Sequence, residues 1–342
     1  MKTTWTAAAL LILWLAVPPT ATEGAEKAGP SDAAKGVRLI RDEHKIRVEI
    51  NGQHFTDYNY AVEEGAPTLT QFFYPLKAPD GTEMAADQYA RQKARLPGSD
   101  HPHQRALRFS HLYGNLSRDY WHQARHHHLR FTKVEGDTVI EELEWEGDAR
   151  APKPELREQR EFRFIAFPDG ARGMDVSLTY RPGAGAPLKI RPMSWAGQND
   201  LVFAIMVIRV APELGGSGMV TLASGKTIDA KRGADEPLEI WKAPWIDISG
   251  TIQGKKHGIA FIAHPQNPYP TVWRRDYLYW GIQASIEAKG GIQLEEGQAV
   301  ALRYRVVVHQ GDAASAGLEE KARNQGKTEK AAGATAGPGL AE

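Results

Sequence analysis

The clearest pattern along the chain is alternation of apolar and polar positions. In "KIRVEING" (45–52), Ile46, Val48 and Ile50 fall on one side and Arg47 and Glu49 on the other, and the run closes on Asn51-Gly52, a dipeptide suited to a tight hairpin. A period of two is that of a strand with one buried face. It returns in "HHLRFTKVEGDTVIEELEWEG", jointed at Glu135-Gly136-Asp137, and in "REFRFIAFPDGARGMDVSLTYRPG", jointed at Pro168-Asp169-Gly170. "LEIWKAPWIDISGTIQGKKHGIAFIAHP" and "QAVALRYRVVVHQGD" complete the series; in the latter Leu302, Tyr304, Val306 and Val308 point one way. No stretch from 37 to 310 carries the 3.6-residue period of a long amphipathic helix. Strands at hairpin spacing predict an all-β fold. Roughly 270 residues without a linker exceed the roughly 100 of a seven-stranded sandwich, so the expectation is one large antiparallel β-sandwich with two extended sheets.

The ends read differently. Lys2 precedes an apolar run from Trp5 to Val17, then Pro18, Pro19 and small residues, the composition of a secretory signal peptide over 1–22. That run is shorter than the roughly 20 residues needed to span a bilayer. Residues 23–36, "EGAEKAGPSDAAKG", predict a flexible leader, the β domain covers 37–312, and 313–342 predict a disordered tail after a short helical turn. Export places the protein in the periplasm or the medium, without a membrane span in its mature part.

Charge and cysteine count narrow the classes. Forty-two basic residues balance forty-two acidic ones, so no electrostatic footprint for nucleic acid exists. Cysteine is absent, which excludes disulfides, thiolate ligands and a cysteine nucleophile. There is no phosphate-cradling Gly-x-x-x-x-Gly-Lys-Ser/Thr loop, no His-Glu-x-x-His helix and no Gly-x-Ser-x-Gly elbow.

Candidate chemistry concentrates in "SDHPHQRALRFSHLYGNLSRDYWHQARHHH" (99–128), which holds seven of the twelve histidines. If the segment is extended, His101, His103 and Arg105 share a side, and two imidazoles so spaced can share a divalent or transition metal or flank one substrate group. His111 and His122 can close the set, with Asp100, Asp119 and Gln104 to orient them. The run His126-His127-His128 places neighbours on opposite strand faces and reads as structural.

The ordered landmarks "FFYPLKAPDG", "DHPHQRALRFSHLYGNLSRDYW", "FAIMVIRVAPEL", "WKAPWIDISG", "GIAFIAHPQNPYPTVW" and "LRYRVVVHQGD" resemble the PmoA-like family, mostly secreted bacterial β proteins whose label invokes methane oxygenase. That family's core motif resembles Asp-His-Pro-His-His-Arg-Gly; this chain keeps Asp100, His101, Pro102, His103 and Arg105, with Gln104 for the third histidine and Ala106 for glycine. The resemblance implies a galactose-mutarotase-like supersandwich, in which histidines and carboxylates act on a sugar and aromatic rings stack against it.

On this reading the leading expectation is a carbohydrate-active enzyme, a hydrolase, lyase or epimerase. His101 or His103 would be general acid or base, Asp100 would orient an imidazole, and Arg105 would hold a carboxylate or an oxyanion. His264 and Asn267 of "AHPQNP" would approach the same cleft, with Trp121 and Trp273 as the sugar platform. The alternatives are a non-catalytic glycan- or metal-binding module, and a metal-dependent oxygenase using His101, His103, His111 and His122.

Overall fold

A computed structural model describes residues 35–333 apart from 111–115, 123, 148–152, 184–186, 193–199, 231–239 and 277–280. The expected signal peptide, and the leader up to residue 34, lie outside the described residues.

In chain order the strands begin with β1 (Val37–Arg41), β2 (Lys45–Ile50), β3 (Gln53–Asn59), β4 (Phe72–Leu76), β5 (Leu107–Phe109), β6 (His126–Glu135) and β7 (Thr138–Trp145). They continue with β8 (Leu156–Ala166), β9 (Arg172–Pro182), β10 (Leu188–Ile190), β11 (Leu201–Arg209), β12 (Met219–Leu222) and β13 (Thr227–Asp229). The last are β14 (Ile240–Trp241), β15 (Trp245–Ile252), β16 (Lys255–Ala263), β17 (Thr271–Asp276), β18 (Gly281–Glu287), β19 (Ile292–Leu294) and β20 (Val300–Gln310). Helices α1 (Gln88–Lys93), α2 (Pro212–Ser217) and α3 (Leu318–Gly333) are insertions on this frame.

Two nine-stranded sheets form, in the orders β1-β2-β3-β4-β5-β11-β18-β17-β14 and β13-β12-β15-β16-β20-β9-β8-β7-β6, with β10 and β19 as a separate pair. Every pairing between named strands is antiparallel. The molecule is the large antiparallel β-sandwich that the alternation predicts. Ile46, Val48 and Ile50 are buried, and Asn51 and Gly52 both adopt positive φ (52° and 72°), which gives the turn that joins β2 to β3 its hand. In β20, Leu302, Tyr304, Val306 and Val308 enter the core that both sheets share.

The inward faces also bury a polar layer. Arg160, fully buried, donates from Nε and Nη2 to the two oxygens of Glu158 at 2.9 Å each and from Nη2 to His126 Nδ1 at 2.8 Å. Within the histidine run, His126 and His128 turn inward, the first stacked on Trp145 and the second bonded to Glu141, while His127 points out.

Over 313–333 the chain is ordered where disorder is expected; residues 334–342 lie outside the described residues. Ala313, Ala316 and Leu318 are buried against Ala260, Ile262 and Val307 on the outer face of the second sheet. The α3 helix is held by Lys321 Nζ to Asp169 Oδ2 (2.5 Å) and by Trp245 Nε1, which donates to Glu319 Oε1 (3.0 Å). Those outward strand residues are apolar, and this segment is what removes them from water. Among the described residues no helix is long and apolar enough to cross a membrane.

Candidate functional site

Cross-strand register creates the site. Phe73, Leu107, Ile208 and Ile282 pair in one row across the first sheet, and Phe109, Met206, Ala284, Trp273 and Trp241 in another; all of these belong to the core. Between them runs Phe72, Arg108, Val207, Gln283, Arg274 and Ile240, whose side chains must leave by the opposite face because successive residues alternate. That outer face is nonetheless covered: Arg108, Arg209, Arg274 and Gln283 are all buried. An apolar floor of Leu201, Ala204, Val207 and Val272 lies on it, with Trp121 and Ile240 packed against it.

The histidine segment folds over this face. Asp100 accepts from Arg209 Nη2 at 2.7 Å and lies 3.3 Å from His101 Nδ1. Gln104 accepts from Arg209 Nη1 at 2.8 Å. The His103 carbonyl accepts from Arg108 Nη1, and its ring lies 4.4 Å from that of His122, 5.6 Å from His101 and 5.9 Å from Trp121. Burial, then the nearby Arg108 charge, pushes the His103 imidazole down to about 3, so it is neutral at physiological pH. His122 Nδ1 lies 2.7 Å from Asp119 Oδ2; since the carboxylate only accepts, Nδ1 carries the proton and Nε2 is the basic nitrogen.

Backbone strain gathers at the same place. Among the non-glycine residues at positive φ, His101 (49°), Ala106 (43°), Ser110 (57°) and Ala204 (61°) bracket the site. Each such conformation costs an L-residue about 1–2 kcal/mol, and strain of this kind clusters where geometry serves a ligand.

Arg108 is the residue that sequence reasoning missed. Among the described residues its Nε and Nη2 have no hydrogen-bond partner, and both are shielded from solvent. Burial, then repulsion from Arg105, lowers its pKa to about 9. Its signal was a cation between Leu107 and Phe109 in an otherwise apolar strand.

Several expected site residues are committed elsewhere. Arg105 donates from Nε and Nη2 to Asp87 at 2.9 and 2.7 Å and stacks over Phe72, so its fork already holds a carboxylate of its own chain. Trp273 is fully buried in a core row and donates to the Ala243 carbonyl, because its register with Ala284 turns it inward. Asn267 is bonded through both ends of its amide to the Arg303 backbone. His264 accepts from Gln266 N at 3.1 Å and, with Asn267, lines a cavity of about 600 Å³ beside Trp245 and α3. That cavity follows β16 of the second sheet, whereas the histidine segment overlies the first. His111 lies outside the described residues. As for the expected metal, no group of three or more His, Cys, Asp or Glu side chains among the described residues is placed to hold one.

A nine-plus-nine antiparallel sandwich with a strained cluster of histidines and buried arginines on one outer face is the class that fold and site define. The chain itself belongs to the family of unknown function DUF6807, whose profile matches residues 45–323. This corrects the PmoA-like assignment: the matching family has no assigned activity, and nothing links the chain to methane oxygenase. No curated protein matches. Among solved structures, the galactosidase domain of the α-galactosidase–sucrose kinase AgaSK aligns with 81% of this chain and 41% of its own length (9% identity, TM-score 0.40). The GalM/aldose epimerase homologue from C. elegans aligns over 82% and 99% (8%, 0.38), and galactose 1-epimerase from Lactobacillus acidophilus over 81% and 100% (8%, 0.35). This chain therefore spans about two fifths of the first of these proteins. The fold assignment rests on the sheets themselves.

Proposed function

We propose that this protein binds and processes a carbohydrate on the outer face of the first sheet, with His122 as general base. The observation that carries the reading is the juxtaposition of Trp121 and the apolar floor Leu201–Ala204–Val207–Val272 with the polar rim of His103, His122, Arg108 and Gln283. A sugar ring has the complementary make-up, a C–H face for an aromatic or aliphatic surface and a hydroxyl edge for donors and acceptors. Asp119 fixes the His122 tautomer and stabilises the imidazolium that forms when Nε2 takes a proton from a substrate hydroxyl or C–H. Neutral His103 beside it adds no positive charge to oppose that step. Secretion remains part of this proposal, resting on the apolar N-terminal run.

The test is a panel of neutral and acidic mono- and disaccharides, followed by saturation-transfer NMR for binding and by product NMR for turnover. Trp121→Ala is expected to weaken binding several-fold to about tenfold. His122→Gln is expected to abolish turnover while the sugar still binds. Absence of any sugar binding, or binding indifferent to Trp121, overturns the reading.

A further inference from the structure

Three buried arginines, Arg105, Arg305 and Arg108, use the same edge of the guanidinium in different ways. Arg105 clasps Asp87 side-on through Nε and Nη2 (2.9 and 2.7 Å), and Arg305 clasps Asp175 through the same two atoms (2.6 and 2.8 Å). In Arg108 those two atoms have no partner among the described residues, while Nη1 is occupied by the His103 carbonyl. The edge that Arg105, Arg305 and Arg160 each give to a carboxylate is thus unanswered on one fully buried arginine. Leaving a buried charge without a counter-charge is strongly unfavourable. Asp87 is bonded to Arg105 and Asp100 to Arg209, so neither carboxylate is hydrogen-bonded to Arg108, although the Asp87 charge reaches it.

We infer that Arg108 is a recognition residue for the carboxylate of an acidic sugar, a uronic or aldonic acid, bound side-on by its Nε–Nη2 edge. The inference rests on the proposed sugar site and deepens it. The geometry suits a planar carboxylate, whose two oxygens match the two parallel N–H vectors. Trp121, half-buried, has its ring 5.9 Å from the guanidinium. A carboxylate at that edge lies beside the indole, so binding is read in tryptophan fluorescence as well as in heat.

The experiment titrates the full chain with D-glucuronate, D-glucose and D-glucose 6-sulfate, by calorimetry and fluorescence, and repeats the series on Arg108→Lys. Malonate against equal ionic strength of chloride provides a sugar-free arm, read as thermal stabilisation. The expected result is glucuronate bound at least roughly tenfold more tightly than glucose, with the preference lost in Arg108→Lys. The wild-type comparison decides the matter even if that variant fails to fold. Glucose bound as well as glucuronate leaves the sugar reading standing and overturns the carboxylate subsite. A preference for the sulfate overturns the carboxylate assignment. If no sugar binds, the sugar reading falls, and malonate then decides: stabilisation dependent on Arg108 sustains the carboxylate subsite, and its absence overturns it.

Discussion

Arg160 and Arg108 are equally buried and differ in everything around them. Arg160 sits between the sheets with both oxygens of Glu158, His126 Nδ1, and Gln71 Oε1 at 3.2 Å as acceptors, and Glu158 raises its pKa above the ordinary arginine value against the cost of burial. Arg108 lies on the outer face with one acceptor among the described residues, the His103 carbonyl, and burial drives its pKa down. A buried charge that is fully answered locks a fold, whereas one left half-answered stores affinity for something else.

The largest expected effect tests that contrast directly. Glu158→Leu leaves Arg160 buried without its counter-charge and should lower unfolding free energy by about 3–5 kcal/mol. Arg108→Met removes a charge with no hydrogen-bonded counter-charge among the described residues and should change stability by no more than about 1 kcal/mol, or raise it. Urea unfolding of both variants is the measurement. An Arg108→Met loss as large as that of Glu158→Leu would mean that Arg108 is structural, and the comparison would collapse.

Asp87 gives an intermediate case. Besides clasping Arg105, its Oδ1 accepts from the Tyr89 and Ala90 amides at 3.1 and 3.4 Å and so caps α1. Asp87→Ala should cost about 2–4 kcal/mol, from the orphaned Arg105 and the lost cap together. If the arm carrying His101 and His103 hangs on this clasp, the variant should also lose sugar binding. Retained binding would show the histidine segment to be held by Arg209 instead.

How much of this was legible depends on which pairings are local. The hairpins at Asn51-Gly52, Gly136 and Gly170 follow from neighbouring residues, and alternation predicted which way Ile46, Val48 and Val306 point. The density of imidazoles marked His101, His103 and His122 beside Trp121. Alternation cannot say whether an outward position meets water or a covered face, and for that reason Arg108 and Arg209 do not stand out in the sequence. His264 and Asn267 were assigned to the histidine cleft because sequence does not reveal that β16 joins the second sheet, a consequence of pairings such as Gly258 with His309 far along the chain. The α3 segment reads as solvated because only a few small or apolar positions, Leu318 and Ala322 among them, dock it amid charged neighbours.

Acid should weaken the molecule through its neutral histidines. His103 is held at about 3 by burial and Arg108, and His126 well below its usual value by burial and Arg160. Between pH 6.5 and 3 the unfolded chain binds protons there that the folded one refuses, so stability falls as pH drops, by at most about 1.4 kcal/mol per unit for each histidine. Glu83 opposes this. Burial raises it to about 7, so the folded chain keeps a proton that the unfolded one releases above about 4.5, and its contribution is lost as pH rises from 4.5 to 7. Burial also lowers His54 and His257 and raises Asp247; with four histidines against two carboxyls, urea midpoints should decline from pH 6.5 to 5. His103→Asn should flatten the decline and Glu83→Gln steepen it. An unchanged slope in His103→Asn would place that ring in solvent in both states.

The smallest effect completes the series of arginines. Arg157 precedes Glu158 on the same strand but points to the other face, where its Nε meets Glu144 Oε1 at 3.0 Å while 56% of the side chain stays exposed. Its geometry resembles that of Arg160 with Glu158, yet water screens the pair and competes for both groups. Arg157→Ala should therefore cost about 0.5 kcal/mol or less in urea unfolding, a fraction of what Glu158→Leu costs on the opposite face of the same strand. A loss above about 1.5 kcal/mol would show that ion pairing itself, and not the burial around it, sets the energetics. The contrast between Arg160 and Arg108 would then have to be rebuilt on pairing alone.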